Sequence, residues 1–299
     1  MLQQDLKNSQ NFIKDSYLVN RLLGLTTIRA GDLVLDIGAG EGILTKQLQA
    51  KGVHVLAYEK DKKLAESLRV QYYLDPLVKV EEQNFLTMPV PRERYKVFSN
   101  IPFNISSDII NKLLFSLNTA EEIYLIVQKE VAFRYLGVKE GKLLSLLIAP
   151  FFETRILYNF QKSDFVPSPT VNVVFISFFK KISPAIELEH TTLYRDFVSY
   201  IMFQQKETLW LRSNKLFTKE QFKRLANNFG FDLDIPARDV DFATWLKLFE
   251  YFVTGVDPYK KEVVKDAFRR YLYKKNIQPK VHRTKIAIVK PTPYYKHYK

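Results

Sequence analysis

The chain has no cysteine in its 299 residues. That excludes disulfides, thiolate zinc sites, iron–sulfur clusters and a cysteine nucleophile. Histidine is scarce: His54, His190, His282 and His297 lie far apart. No metal-ligand spacing links them, so no resident metal is expected. Long apolar runs are missing too. The longest, LLSLLIAPFF at 143–152, is about half a membrane span and contains Pro150. The stretch MLQQDLKNSQNFIKDSYLVNRLLGLTTI lacks the continuous apolar core of a signal peptide. The expectation is a soluble, cytoplasmic, monomeric protein with no membrane partner.

Acidic residues are also in deficit. Lys and Arg number 45 against 32 Asp and Glu, a net charge of +13. Such an excess points to a polyanionic partner, nucleic acid first. It is unevenly spread. Residues 253–299 hold thirteen Lys/Arg and three acids, ten of the thirteen net charges. The first part of that segment, KKEVVKDAFRRYLYKK, reads as a basic amphipathic helix. Its end, VKPTPYYKHYK, cannot build a core.

What remains is ordinary globular material, 46% hydrophobic and 26% charged. Up to about residue 180, β-rich runs alternate with helical patterns. DLVLDIG (32–38), VHVLAYE (53–59), VKVEEQN (78–84), YKVFSN (95–100), EIYLIVQ (122–128) and VNVVFISFFKK (171–181) read as strands. ILTKQLQAKG (43–52) and KKLAESLRVQYY (62–73) read as helices between them. This alternation predicts a mostly parallel sheet covered on both faces, with ligands beyond the carboxyl ends of its strands. From about 185 to 252 the apolar spacing is helical, in LYRDFVSYIMFQQK, TKEQFKRLANNFG and FATWLKLFEYF. The expected division is an α/β domain over 1–182, a small helical domain over 183–252 and a basic tail over 253–299.

Two motifs carry chemistry. Asp36-Ile37-Gly38-Ala39-Gly40-Glu41-Gly42 joins a strand to a helix, and its glycines let a ligand approach the backbone. Glu59 closes the next strand, 21 residues after Gly38, where a carboxylate can accept both ribose hydroxyls. A dinucleotide fingerprint needs a third glycine at position 43, and that residue is Ile43. The set therefore favours S-adenosylmethionine (AdoMet) over NAD.

The second motif is Asn100-Ile101-Pro102-Phe103 at the end of a buried strand. An exocyclic amine on a base is a poor nucleophile, because its lone pair is delocalised into the ring. The Asn100 side-chain oxygen and a nearby carbonyl, that of Ile101, can hold its two hydrogens and favour tetrahedral nitrogen. Stabilisation that grows in the transition state speeds the step. Pro102 fixes its own φ and holds Ile101 extended. Phe103 offers a flat face to a base that has left its stack.

Together these segments resemble the rRNA adenine N6-methyltransferases, the group of KsgA and the Erm macrolide-resistance enzymes. The likeness covers residues 8 to about 252, through NSQNFIKD, LDIGAGEG, AYEKDKKL, SNIPFNISSDII, EIYLIVQKEVAFRYLG and FVPSPTVNVVFISF. SQNFI, NIPFNIS and IYLIVQKEVAFR are more similar to Erm. The resemblance implies a Rossmann-like class I methyltransferase domain, a small helical domain, AdoMet as cofactor and ribosomal RNA as partner. It implies that Asn11 and Ile13 line the AdoMet site and that Gly38 packs under the cofactor. Glu59 would bind the ribose, Asn100 and Phe103 would hold the target adenine, and Phe165 would close on the base from the other side. In the family an Asp contacts the cofactor's adenine amine where this chain has Asn84, whose oxygen can still accept that bond without the charge. The implied activity is methylation of one adenine in the peptidyl-transferase region of 23S rRNA, with macrolide, lincosamide and streptogramin B resistance. The alternatives are KsgA-like dimethylation of 16S rRNA, or a non-catalytic nucleic-acid-binding factor on the same fold.

Overall fold

A computed structural model of the chain describes residues 11–137 and 142–277. In chain order the elements begin with β1 (Phe12–Ile13), α1 (Ser16–Leu23), β2 (Leu33–Ile37), α2 (Ile43–Ala50), β3 (His54–Glu59), α3 (Lys62–Gln71) and β4 (Val78–Glu82). They continue with β5 (Lys96–Asn100), α4 (Ser106–Phe115), β6 (Glu122–Gln128), α5 (Lys129–Leu136), α6 (Lys142–Ile148), β7 (Phe152–Asn159), β8 (Phe165–Val166) and β9 (Val173–Lys180). The helices α7 (Thr191–Met202), α8 (Leu209–Ser213), α9 (Lys219–Phe229), α10 (Phe242–Thr254), α11 (Pro258–Val264) and α12 (Ala267–Ile277) follow.

The main sheet has seven strands in the order β4-β3-β2-β5-β6-β9-β7. The pairs from β4 to β6 are parallel, while β9 runs antiparallel to both β6 and β7. Alternation along each strand feeds two cores. Leu35, Ile37, Val97, Ile123 and Leu125 face α4, α5 and the carboxy-terminal helices. Val34, Val55, Ala57, Phe98 and Ile126 face α1, α2 and Leu68 of α3. The expected Rossmann-like sheet is present. Strand β7 and the β1–β8 pair are additional to the sequence reading, and LLSLLIAPFF is divided between α6 and the start of β7.

The chain leaves β2 in one direction for β3 and β4 and returns on its other side as β5. That reversal opens a crevice at the strands' carboxyl ends. Main-chain pairing of β2 with β5 covers only Val34 with Lys96 and Leu35 with Val97. Beyond it, Ser99 Oγ accepts from the Ile37 N–H at 2.8 Å and donates to the Leu35 carbonyl at 3.2 Å. A buried hydroxyl thus replaces the missing ladder bonds while the strand ends diverge.

The single basic helix expected over KKEVVKDAFRRYLYKK (260–275) is two helices. The break falls at Lys265-Asp266, where Asp266 adopts a left-handed φ of 59°. The expected coreless end of the tail lies outside the described residues.

Candidate active site

The crevice holds a cavity of about 420 Å³ lined by both motifs. Asp36, Gly38 and Ala39 form one wall and Asn100, Ile101, Pro102 and Phe103 the other. Asn11, Ile13 and Lys14 come from the β1 segment, Val166 from β8, and Glu41, Ile43 and Leu44 from the turn into α2.

Close packing joins the two motifs. A Cβ on Gly38 would lie 3.2 Å from Pro102 Cδ. A Cβ on Gly40 would lie 2.8 Å from the Phe12 ring, and Gly40 sits at a φ of +58°. Glycine is therefore required at residue 40 by conformation and by space. Phe12 is held over the turn by β1, which pairs antiparallel with β8 through Phe12–Val166 and Ile13–Phe165.

Asn100 is oriented by its surroundings. Its Nδ2 donates to the Asn11 carbonyl at 2.7 Å. A carbonyl only accepts, so the amide nitrogen must face it, leaving Oδ1 as an acceptor. Between these residues the site offers what an amine needs: an oriented oxygen, and a backbone stiffened by Pro102.

Asp36 lies beneath the turn, 1% exposed, because the register of β2 points it at α2. Its Oδ2 accepts from Thr45 Oγ1 at 2.7 Å. Burial pushes its pKa up to about 7; the Thr45 hydrogen bond opposes the rise and the nearby Glu59 charge adds to it.

Four expected residues stand apart from the cavity lining. Gly40 supports the turn against Phe12. Glu59, 3% exposed, braces the turn: Oε2 accepts from the Gly40 N–H and Oε1 from the Asp61 N–H, both at 2.8 Å. A carboxylate has about four lone-pair sites, so capacity for a diol remains. Asn84 Oδ1 accepts from the Leu86 N–H at 3.1 Å and caps a 3-10 turn. Lys112 on α4 secures that turn by donating to the carbonyls of Phe85 and Met88. Phe165, expected to close on the base, lies away from the cavity. It is fully buried against Phe160, with ring centroids 5.1 Å apart, and its neighbour Val166 meets the cavity instead. In a strand, adjacent side chains point to opposite faces, and the β1 pairing turns Phe165 inward.

Phe12, Lys14, Ile43, Leu44 and Val166, with Ala39 and Glu41 of the glycine motif, line or support the site without having been named as site residues. Proximity to Asn11 and to the glycine turn was the available signal. The lining suits a ligand with both ammonium and carboxylate groups, since Lys14 and Glu41 bring opposite charges to one opening. A Rossmann-like sheet, a glycine turn at its switch point and a braced acid define an AdoMet-dependent methyltransferase.

Comparison with known proteins specifies the class. The family model for ribosomal RNA adenine dimethylase matches residues 1–254. The rRNA adenine N-6-methyltransferase of Limosilactobacillus reuteri is 30% identical over 253 residues, 84% of this chain and 98% of that protein. The ribosomal RNA small subunit methyltransferase A of Mycoplasmopsis synoviae (strain 53) is 30% identical over 258 residues, again 84% and 98%. The crystal structure of the 23S rRNA methyltransferase ErmE shares the fold, with a TM-score of 0.72 and 24% identity over 82% of this chain and all of that one. The chain belongs to the rRNA adenine N6-methyltransferase family and is an AdoMet-dependent enzyme.

Proposed function

We propose that the enzyme methylates N6 of one adenine in the peptidyl-transferase region of 23S rRNA. Acting in the cytoplasm, it would block macrolide, lincosamide and streptogramin B binding. The observation that carries the chemistry is the Asn100 amide, turned by the Asn11 carbonyl so that Oδ1 can accept. The 23S target is supported by the Erm-like form of SQNFI and NIPFNIS.

AdoMet supplies an electrophilic methyl group on a sulfonium. Gly38, Gly40 and Phe12 shape the bed for it, and Asn11, Ile13 and Asp36 line that bed. Glu59 keeps the turn closed and offers its remaining lone pairs to the ribose hydroxyls. Asn84 meets the adenine amine through the oxygen that already caps its turn. On the substrate side, Asn100 Oδ1 and the Ile101 carbonyl accept the two N6 hydrogens of a flipped adenine. Phe103 stacks on its ring and Pro102 holds the two acceptors at fixed spacing. The grip tightens as nitrogen becomes tetrahedral, so it acts on the transition state more than on the bound substrate. The N6 proton leaves to water after transfer, so no tuned base is needed.

The 16S reading has an observation of its own, since a relative named as a small-subunit enzyme is as similar as one named without a subunit. The test is incubation of purified enzyme with labelled AdoMet and unmethylated 23S or 16S rRNA, with modified adenines mapped by primer-extension stops. One stop in the peptidyl-transferase region supports the proposal. Adjacent stops near the 16S 3′ end would replace it with the small-subunit function.

A further inference from the structure

The family match ends at residue 254, yet the chain continues for 45 residues. The first part of this addition is built into the fold. Asp196 on α7 is 7% exposed, and its two carboxylate oxygens accept the backbone N–H groups of Asp266 and Phe268 at 3.1 and 2.9 Å. They cap the start of α12 from another helix. Phe268 meets Phe115 of α4 edge to face, with centroids 5.0 Å apart, and Tyr271 meets Phe203 at 6.0 Å. The Arg195 guanidinium lies over Phe115, Phe151 and Phe268 at 5.0, 5.5 and 5.8 Å. Asp196 thus spends both carboxylate oxygens on this addition, which ties α12 to α7.

The outward face has a different character. Arg269 and Arg270 are exposed, and neither lies within ion-pair distance of a carboxylate among the described residues. Val264 and Ala267 are buried and Phe268 is packed, so the apolar side chains at the junction of the two helices are spent on the protein. A helix that lies in a membrane surface keeps such a face free. Residues 278–299 then add six Lys/Arg and no acid.

We propose that residues 255–277 are a fixed RNA-docking unit, in which α11 and α12 are clamped onto α7 and present Arg269 and Arg270 to phosphates of the rRNA substrate. The identity of that polyanion rests on the rRNA methyltransferase reading. Helix α4 begins at the catalytic turn and ends at Phe115 against Phe268, and its ten residues span about 15 Å. The unit therefore contacts RNA several nucleotides away from the flipped adenine. It adds affinity that does not depend on the target sequence.

The test uses the full chain and the double variants Arg269→Gln/Arg270→Gln and Arg269→Glu/Arg270→Glu. Filter binding to an rRNA fragment is measured across salt concentrations, with AdoMet affinity and thermal melting as folding controls. The neutral pair should weaken binding roughly tenfold at 0.1 M salt and lower the log–log salt slope by about 1.5, with the reversed pair weaker still. AdoMet affinity should stay at the wild-type value. Unchanged RNA affinity and slope overturn the proposal. So does an unchanged slope alongside lost binding to phosphatidylglycerol vesicles, which would make the partner a membrane. Methyl transfer is assayed separately. A wild type that binds RNA but transfers no methyl counts against the functional reading, while the slope still decides the docking surface.

Discussion

At the scale of single residues, the site depends on which atom of a side chain faces which neighbour. Asn100 donates to the Asn11 carbonyl, which leaves its oxygen as an acceptor for the proposed substrate. Asn100→Ala should lower kcat by about 10²–10³-fold, the cost of one transition-state acceptor, with AdoMet affinity changed only a few-fold. Asn100→Asp keeps an acceptor but sets a carboxylate against the Asn11 carbonyl, so it should be impaired as severely. Single-turnover methylation at saturating RNA reads both, and an active Asp variant would refute this orientation argument. Asp36 yields a prediction about stability. Burial raises its pKa from the ordinary carboxylate range to about 7, so the folded state keeps a proton that the unfolded chain releases. The folded protein binds more protons in that window, so the Asp36 contribution falls as pH rises from about 4 to 7. Asp36→Asn should remove that slope. The variant should gain stability relative to wild type between pH 5 and 8, by an amount on the order of a few kcal/mol. Urea unfolding at the two pH values measures the gain; equal differences at both would reject it.

At the scale of elements, the glycine turn and β1 form a matched pair. Gly40→Ala places a Cβ 2.8 Å from Phe12 in a conformation that side chains disfavour. It should weaken AdoMet binding by about tenfold or more, and Gly40→Ala with Phe12→Val should recover part of the loss by making room. Calorimetric titration compares the two; no recovery would assign the whole effect to backbone strain. This pairing marks the limit of sequence reading. Strands such as EIYLIVQ are continuous apolar runs, because both faces of a parallel sheet are buried, and they stand out clearly. The glycine turn and Asn100–Phe103 are local in sequence, so the segments that line the cavity were legible too. Phe12 and Val166 were not. They meet only through a two-residue pairing between segments about 150 residues apart, too short to leave a periodic pattern. Strand β7 was missed for a related reason: it is an edge strand with polar residues on its open side. The inward direction of Phe165 was not legible either, because the motif names the residue whereas the pairing register decides which way it points.

At the scale of the whole molecule, the sheet is open at one end and tied at the other. The carboxyl ends of β2 and β5 separate around the cavity. At the amino ends, Lys96 is 8% exposed and lies 3.0 Å from Asp32 and 3.4 Å from Glu122, while donating to the Thr27 carbonyl at 3.1 Å. One cation thus joins β5 to β6 and to the turn before β2. Burial alone would raise the Asp32 pKa, but the Arg29 N–H and Lys96 outweigh it and hold it below the usual carboxylate range. Removing one partner of a buried pair leaves the others uncompensated. Lys96→Met should therefore cost about 2–4 kcal/mol of global stability while leaving AdoMet affinity within a few-fold, because the network lies at the far end of the sheet. The sign of its pH dependence follows from Asp32. A depressed pKa gives stability that is present above the unfolded value and is lost as pH falls through the folded one. The gap between wild type and Lys96→Met should be widest near pH 7 and close as acid protonates Asp32. Urea unfolding at pH 7 and again below about pH 3, under the folded Asp32 pKa, measures it. A gap that stays constant would mean Lys96 stabilises the sheet through its alkyl chain, and a large loss of AdoMet affinity would mean the two ends are coupled through the strands.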